Sequence, residues 1–336
     1  MKAIGYTAAG AIDRPGALVE RDLPEPGPEG RDLLVRVQAV SVNPVDTKVR
    51  RNDAPKDGFR VLGFDAVGTV EAAGPDAKFF KPGDRVWYAG SILRSGSNAE
   101  LQLVDERIVG SAPQSLSAAD AAALPLTALT AWEMLFERFD VDRPTPMGNR
   151  NILVIGGAGG VGSIAVQLAK HEAGMTVIAT ASRPETVDWA RHMGADLVVD
   201  HSKPLAAELR AAGAMAPGFV FSTTETDKHF DQIVELIAPQ GSLGVISGLG
   251  ASDANKLSAK SIALCFELMF TRSIFGTPDI AEQHRILNEV AQLVDRGTLK
   301  TTRTEHFGKI SAANLTKAHA QLESGTTIGK VVLEGF

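Results

Sequence analysis

Five glycines within the seven residues Gly156 to Gly162 carry the most specific chemical signal in this 336-residue chain. In that stretch, GGAGGVG, the residues Gly157, Gly159 and Gly162 match the spacing G-x-G-x-x-G. Such spacing allows a tight turn, close backbone approach to a pyrophosphate and close packing of a helix on a strand. Before it, Ile152 to Ile155 form an apolar run that reads as a buried strand; after it, Ser163 to Lys170 have helical spacing. A lone glycine fingerprint is weak, but this one follows a strand, opens a helix and precedes a second strand, the context of a dinucleotide site with the phosphates at the helix N-terminus. Gly157, Ala158, Gly159, Gly160, Val161 and Gly162 are therefore the expected phosphate-binding residues.

A site for NAD is expected to carry an Asp or Glu about 20 residues beyond the glycines, on the ribose 2′-hydroxyl. Here the strand TVIATA ends at Ala181 and is followed by Ser182 and Arg183, so the acid is missing. A hydroxyl followed by a guanidinium suits a 2′-phosphate, to which Arg can donate two parallel charge-assisted hydrogen bonds. The expected cofactor is NADPH, the alternative for Arg183 being a solvated surface residue at a turn.

The elements that must position these residues differ along the chain. From Met1 to about Ala122, short apolar segments such as LLVRVQAVSV, VGTVEAAG, DRVWYA and AELQLVDER alternate with turn-forming runs, which suits an antiparallel barrel or sandwich with few helices. Ser117 with Asp120 fits a helix N-cap with an acid in the first turn, and the helical material that follows is broken at Pro125. Past the loop VDRPTPMGNR, strands and helices alternate from ILVIG to SLGVIS, the pattern of βαβ units around a parallel sheet. A strand SIFGT and a helix around Ile280 to Asp295 come next, and β-like segments return in LKTTRTEHF and KVVLEGF. The expected fold is α/β, a doubly wound parallel sheet plus a β-rich domain. Its spans are 1–122 for the β-rich domain, 123–277 for the cofactor domain and 278–336 for a return segment that completes the first.

Composition narrows the partners. The chain is 44% hydrophobic and 22% charged, with a formal net charge of -6 and no block of Lys or Arg, which opposes a nucleic-acid or anionic-membrane partner and favours a small molecule. The N-terminus lacks a continuous apolar h-region, and no run approaches ~18 apolar residues, so the expected location is the cytoplasm. The single cysteine, Cys265, lies among apolar neighbours and reads as a buried small hydrophobe. One cysteine excludes a disulfide within the chain and a thiolate-built zinc site. The seven histidines show no H-x-x-H or H-E-x-x-H spacing.

The stretches SVNPVDTKVR, VLGFDAVGTV, KPGDRVWYAGSILRSGSNAEL, ALPLTALTAWEMLF, GGAGGVG, FTRSIFGTPDI and IGKVVLEGF together resemble the medium-chain dehydrogenases/reductases of the zinc-free quinone oxidoreductase group. Two of them look like the subgroup labelled zinc-type alcohol dehydrogenase-like. The resemblance implies a GroES-like substrate domain, a Rossmann cofactor domain, and a cleft between them where nicotinamide meets substrate. It further implies that Thr127 touches the nicotinamide ribose or amide, that Ser247, Gly248 and Leu249 pass the nicotinamide, that Ser222 and Thr223 approach the adenosine or pyrophosphate, and that Lys330 reaches the cofactor cleft. Asn43 is implied as an amide donor at the cleft, with Asp46, Lys48 and Tyr88 nearby. Each has a plainer reading: Asn43 as a turn residue before Pro44, Asp46 and Lys48 as a surface pair, Tyr88 as core. A homodimer or homotetramer joined through cofactor-domain edges is implied as well.

The departures from the zinc alcohol dehydrogenase pattern restrict the chemistry. Asn43 stands where that pattern has its first zinc cysteine, Gly63-Phe64-Asp65 replaces Gly-His-Glu, Ala123 falls near the third ligand, and Val45 replaces the proton-relaying Ser or Thr. Without a Lewis acid, worth several kcal/mol of transition-state stabilisation, a simple ketone or alcohol is a poor substrate. A quinone or α,β-unsaturated carbonyl delocalises the incoming charge itself, so positioning and hydrogen bonds suffice. The expected activity is hydride transfer from NADPH to a quinone without a metal, with protonation from water. The alternatives are reduction of the double bond of enones or 2-alkenals and, from another class, an NADPH-binding protein with a structural or sensing role and little turnover.

Overall fold

The computed structural model describes residues 1–142 and 150–336; residues 143–149, within the expected loop VDRPTPMGNR, lie outside them. The chain divides into two compact units, Met1–Leu129 with Phe270–Phe336, and Thr130–Met269. These breaks fall later than the expected 122/123 and earlier than the expected 277/278. The reason at the first break is hydrogen bonding: Thr301 Oγ1 donates to Asp120 O at 2.7 Å and Thr302 Oγ1 to Ala123 O at 3.0 Å, which fastens the segment after Ser117 to the first unit. Ser117 caps the helix Ala118–Ala122 by accepting from Asp120 N at 3.1 Å, and a new helix, Pro125–Trp132, starts at the proline.

In the first unit the strand Asp32–Val42 is the organising element. It pairs antiparallel with Asp65–Ala73, Leu101–Asp105 and the returning strand Lys330–Glu334. Alternate residues Leu33, Val35, Val37 and Ala39 are buried, as a half-exposed strand requires. Register shifts between Leu34 and Val35 and between Val37 and Ala39 bend this strand against Asp65–Ala73. Its core joins Ile4, Tyr6, Val35, Val86, Tyr88, Val109, Val331 and Leu333. Two helices absent from the sequence reading, Pro44–Asn52 and Ala312–Glu323, belong to this unit and meet through Arg50. That guanidinium is fully buried; it pairs with Glu323, and its Nε donates to His319 Nδ1 at 3.4 Å. The expected strand SIFGT is instead the end of a short helix, Thr271–Phe275.

In the second unit, among the described residues, six parallel strands form one sheet. Their order is Leu197–Val199, Thr176–Thr180, Asn151–Ile155, Phe219–Ser222, Ser242–Val245 and Ala263–Phe266. Numbered along the chain this is 3-2-1-4-5-6, the doubly wound arrangement in which ligands bind beyond the carboxyl ends of the strands where the order reverses. The reversal lies between Asn151–Ile155 and Phe219–Ser222. Both strands are buried throughout, because helices cover both faces. Cys265 lies on the edge strand and is half-buried, where full burial was expected; its thiol donates to Arg138 O at 3.6 Å.

Candidate active site

Within the second unit the sequence-predicted cofactor residues converge on one sheet edge. Ile155 and Ser222 are register partners, as are Ser222 and Val245, so the turns beginning at Gly156, Thr223 and Ile246 leave the sheet side by side. Gly156 has φ +79, a conformation that favours glycine, and turns the chain out of the strand. Its N–H donates to Thr180 Oγ1 at 3.0 Å, and Gly157 N–H to Thr180 O at 3.2 Å, which ties the glycine turn to the neighbouring strand. Thr180 escaped the sequence reading, although a hydroxyl at a strand's carboxyl end was a visible cue. Gly159 is the N-cap of the helix Gly160–His171. A Cβ on Gly162 would lie 2.1 Å from Gly156 O, so helix and turn approach as only glycine permits. Ser163 Oγ donates to Gly159 O at 2.7 Å and accepts from Trp189 Nε1 at 2.8 Å, which braces the first helical turn from outside. The first N–H groups of this helix and its dipole make a cradle that suits a phosphate.

The remaining residues of that edge differ in what they can offer. Ser182 is exposed, and Arg183, the N-cap of the helix Pro184–His192, pairs with Glu185 at 3.3 Å while keeping 40% of its side chain in solvent. Thr223 Oγ1 donates to Ile155 O at 2.7 Å, and the fully buried Ser222 Oγ lies 2.9 Å from Thr226 Oγ1, so both hydroxyls hold the sheet edge together. Ser247 and Leu249 are half-buried and Gly248 is exposed.

In the first unit the structure brings Asn43, Asp46 and Lys330 together and adds Asp65. Asn43 caps the helix Pro44–Asn52; its N–H donates to Asp46 Oδ2 at 2.8 Å, and Gly63 N–H donates to Asp46 Oδ1 at 3.0 Å. Burial pushes the Asp46 carboxyl up to about 7 against these two donors, the nearby ammonium of Lys330 also opposing the rise. Lys330 opens the strand Lys330–Glu334 and is 3% exposed. Its ammonium donates to Asn43 Oδ1 at 2.5 Å, Val42 O at 3.1 Å and Asp65 Oδ2 at 3.1 Å. Asp65 also accepts from Asn43 Nδ2 at 2.8 Å and from Leu126 N–H at 2.7 Å. Three ammonium protons meet three acceptors, and the carboxylate that balances the charge accepts from three donors in turn.

This arrangement alters the roles expected from the sequence. The Asn43 amide is engaged on both sides inside the protein, so it holds Asp65 and Lys330 rather than presenting a donor to solvent. Lys330 belongs to this network and does not extend outward. Lys48 is exposed and two residues from Asp46, a spacing at which helix side chains do not face each other. Tyr88 is fully buried; it is paired with Ala66, so it lies on the sheet face opposite Asp65, within the apolar core. Burial raises its hydroxyl pKa, and among the described residues that hydroxyl has no hydrogen-bond partner. Lys48 and Tyr88 are therefore not brought to Asn43. Thr127 Oγ1 donates to the O of Leu124, the residue before its helix, at 3.0 Å. Among the described residues, no group of three or more His, Cys, Asp or Glu is placed to hold a metal ion, and no helix is long and apolar enough to cross a membrane.

Comparisons with known proteins agree with this architecture. Residues 29–116 match the alcohol dehydrogenase GroES-like domain, and residues 160–294 match the zinc-binding dehydrogenase family. A zinc-type alcohol dehydrogenase-like protein of Staphylococcus aureus (strain MSSA476) is 43% identical over 335 residues, 99% of each chain. A crystal structure from Rhizobium etli CFN 42, provisionally named a zinc-dependent alcohol dehydrogenase, has a TM-score of 0.98 and 57% identity, covering 100% of this chain and 98% of that one. A mycobacterial protein complexed with NADPH has a TM-score of 0.83 at 28% identity, covering 99% of each chain. Full-length identity to the first relative, a GroES-like domain and a Rossmann sheet together show that this chain is an oxidoreductase of the medium-chain dehydrogenase/reductase superfamily.

Proposed function

We propose that the protein transfers hydride from NADPH to a quinone without a metal. The observation that carries this reading is the network of Asn43, Asp65 and Lys330. Where zinc dehydrogenases present ligands, these oxygens already face an ammonium ion, which would repel a second cation. Phe64 offers only a ring packed 5.0 Å from that of Phe270, and the Ala123 carbonyl accepts from Thr302. This donor set does not fit zinc.

The dinucleotide fits better. When bound, NADPH supplies a hydride, and with one proton from water a quinone becomes a hydroquinone. Gly157 to Gly162 would receive the pyrophosphate, Ser182 and Arg183 the 2′-phosphate, and Ser247 to Leu249 the nicotinamide end; the NADPH complex of the mycobacterial relative supports the choice of cofactor. Replacing Arg183 with alanine is expected to raise the KM for NADPH about tenfold, the weight of one lost charge-assisted contact, and to leave the KM for NADH unchanged. Equal effects on both cofactors, or a wild-type preference for NADH, would refute the assignment.

Assembly as a homodimer is part of the same reading. Among the described residues the edge strand Ala263–Phe266 pairs on one side only, and Phe266 is 56% exposed and Leu268 51% exposed beside it, a surface suited to pairing with a second copy. Light scattering at micromolar concentration is expected to give a dimer, and a monomer would contradict the pairing.

A further inference from the structure

The loop after the strand Ser242–Val245 contains Ser247, Gly248 and Leu249, and its far side is held by a residue of the preceding βα unit. Asp227 lies in the first turn of the helix Thr226–Leu236. Its Oδ2 accepts from Gly250 N–H at 2.9 Å, and its Oδ1 accepts from Ser252 N–H at 3.1 Å and from the Ser252 hydroxyl at 2.5 Å. Donors from one loop thus converge on one carboxylate. The Ser252 hydroxyl first, then the Gly250 amide, hold this carboxyl below its usual range. A Cβ on Gly250 would lie 2.8 Å from Asp227 Oδ2, so the loop sits as near the carboxylate as glycine allows.

The chain is bent to deliver this carboxylate. Glu225, immediately before the helix, has φ +46, a left-handed conformation that a non-glycine residue rarely adopts. The hydrogen bond between Ser222 Oγ and Thr226 Oγ1 at 2.9 Å fixes the helix start to the end of its strand. Backbone strain of this kind persists where the surrounding structure over-determines it. Asp227 itself is exposed and fills no core. Its bonds constrain a loop.

We propose that Asp227 is a positioning residue that fixes the Ser247–Ser252 loop in the shape receiving the nicotinamide end of NADPH, without touching the cofactor. The proposal rests on the cofactor reading given above. It differs from a general structural role in what it spares. A ligand lacking the nicotinamide ring does not need this loop, whereas loss of fold would weaken every ligand.

The test is calorimetric titration of wild type, Asp227→Asn and Asp227→Ala with NADPH and with 2′-phospho-ADP-ribose, alongside thermal unfolding. Asp227→Ala is expected to weaken NADPH about tenfold, as loss of charge-assisted hydrogen bonds would, and to leave 2′-phospho-ADP-ribose and the unfolding temperature unchanged. Asp227→Asn, which keeps one acceptor oxygen, is expected to fall between. Equal weakening of both ligands, or of neither, overturns the proposal while leaving the cofactor reading intact. Failure of wild type to bind NADPH removes that reading and the proposal with it. Should Asp227→Ala not fold, Ser252→Ala, which deletes one donor on the loop side, is expected to show the same selectivity at smaller size; its absence there is equally decisive against the proposal.

Discussion

Replacing Lys330 with methionine is expected to destabilise the first unit by about 3–5 kcal/mol, the usual consequence of removing one partner from a buried ion pair. The side chains of Lys330 and Asp65 are 3% and 0% exposed, so the variant would leave a carboxylate in the protein interior with, among the described residues, Asn43 Nδ2 and Leu126 N–H as the remaining donors against its charge. The double variant with Asp65→Asn removes that charge while keeping an acceptor for Leu126, and is expected to regain most of the loss. Denaturant unfolding of wild type, both single variants and the double variant measures this as a cycle. A loss below about 1 kcal/mol in Lys330→Met would mean that the pair is solvated and the network unimportant.

The second large effect concerns the glycine turn, where two substitutions of the same size should separate fold from ligand. Alanine at position 162 places its Cβ 2.1 Å from Gly156 O and 2.8 Å from Gly157 Cα. Backbone must move, so Gly162→Ala is expected to lower thermal stability and abolish dinucleotide binding together. Alanine at 159 meets only Gly156 O, at 3.4 Å, an ordinary contact. Gly159→Ala should therefore fold normally, yet it puts a methyl group where backbone must approach the pyrophosphate. Its affinity for NADPH is expected to fall about tenfold or more, roughly 1.4 kcal/mol at the least. Unchanged affinity in a folded Gly159→Ala protein would show that phosphate does not lie on this turn.

The contrast between these two sites shows what was legible in the residues. The glycine spacing depends on local geometry, strand then turn then helix, and the chain around Gly156 to Gly162 folds as that pattern requires. Alternating apolar segments likewise foretold the parallel sheet, though not its edge strand Ala263–Phe266, because SIALCFELMF is apolar without a clear period. The helix Pro44–Asn52 carries a usable signal, Asn43 before Pro44 with Asp46 three residues on, but it lies within β-rich texture, where Asn43 reads equally as a turn residue or as an amide donor. Thr271–Phe275 was mistaken for a strand because TRSIF, one turn long, has no period to measure.

The Lys330 network was not legible for a different reason. Asn43, Asp65 and Lys330 come from three distant parts of the chain, joined because Ser41 pairs with Asp65 and Val42 with Val331 across two antiparallel ladders. Only that register shows that the amide is consumed internally. For Tyr88 the residues leave a role near Asn43 and a place in the core both open, and the sheet face it occupies, set by its pairing with Ala66, agrees with the core.

The most direct measurement is steady-state NADPH oxidation by chelated and desalted enzyme, with metal content determined on the same sample, against a panel of quinones, a panel of enones and simple ketones. The expected result is turnover with quinones that persists in metal-free enzyme, with little activity on simple ketones. Turnover confined to enones would reassign the acceptor, and activity that disappears on chelation and returns with zinc would contradict metal-free hydride transfer.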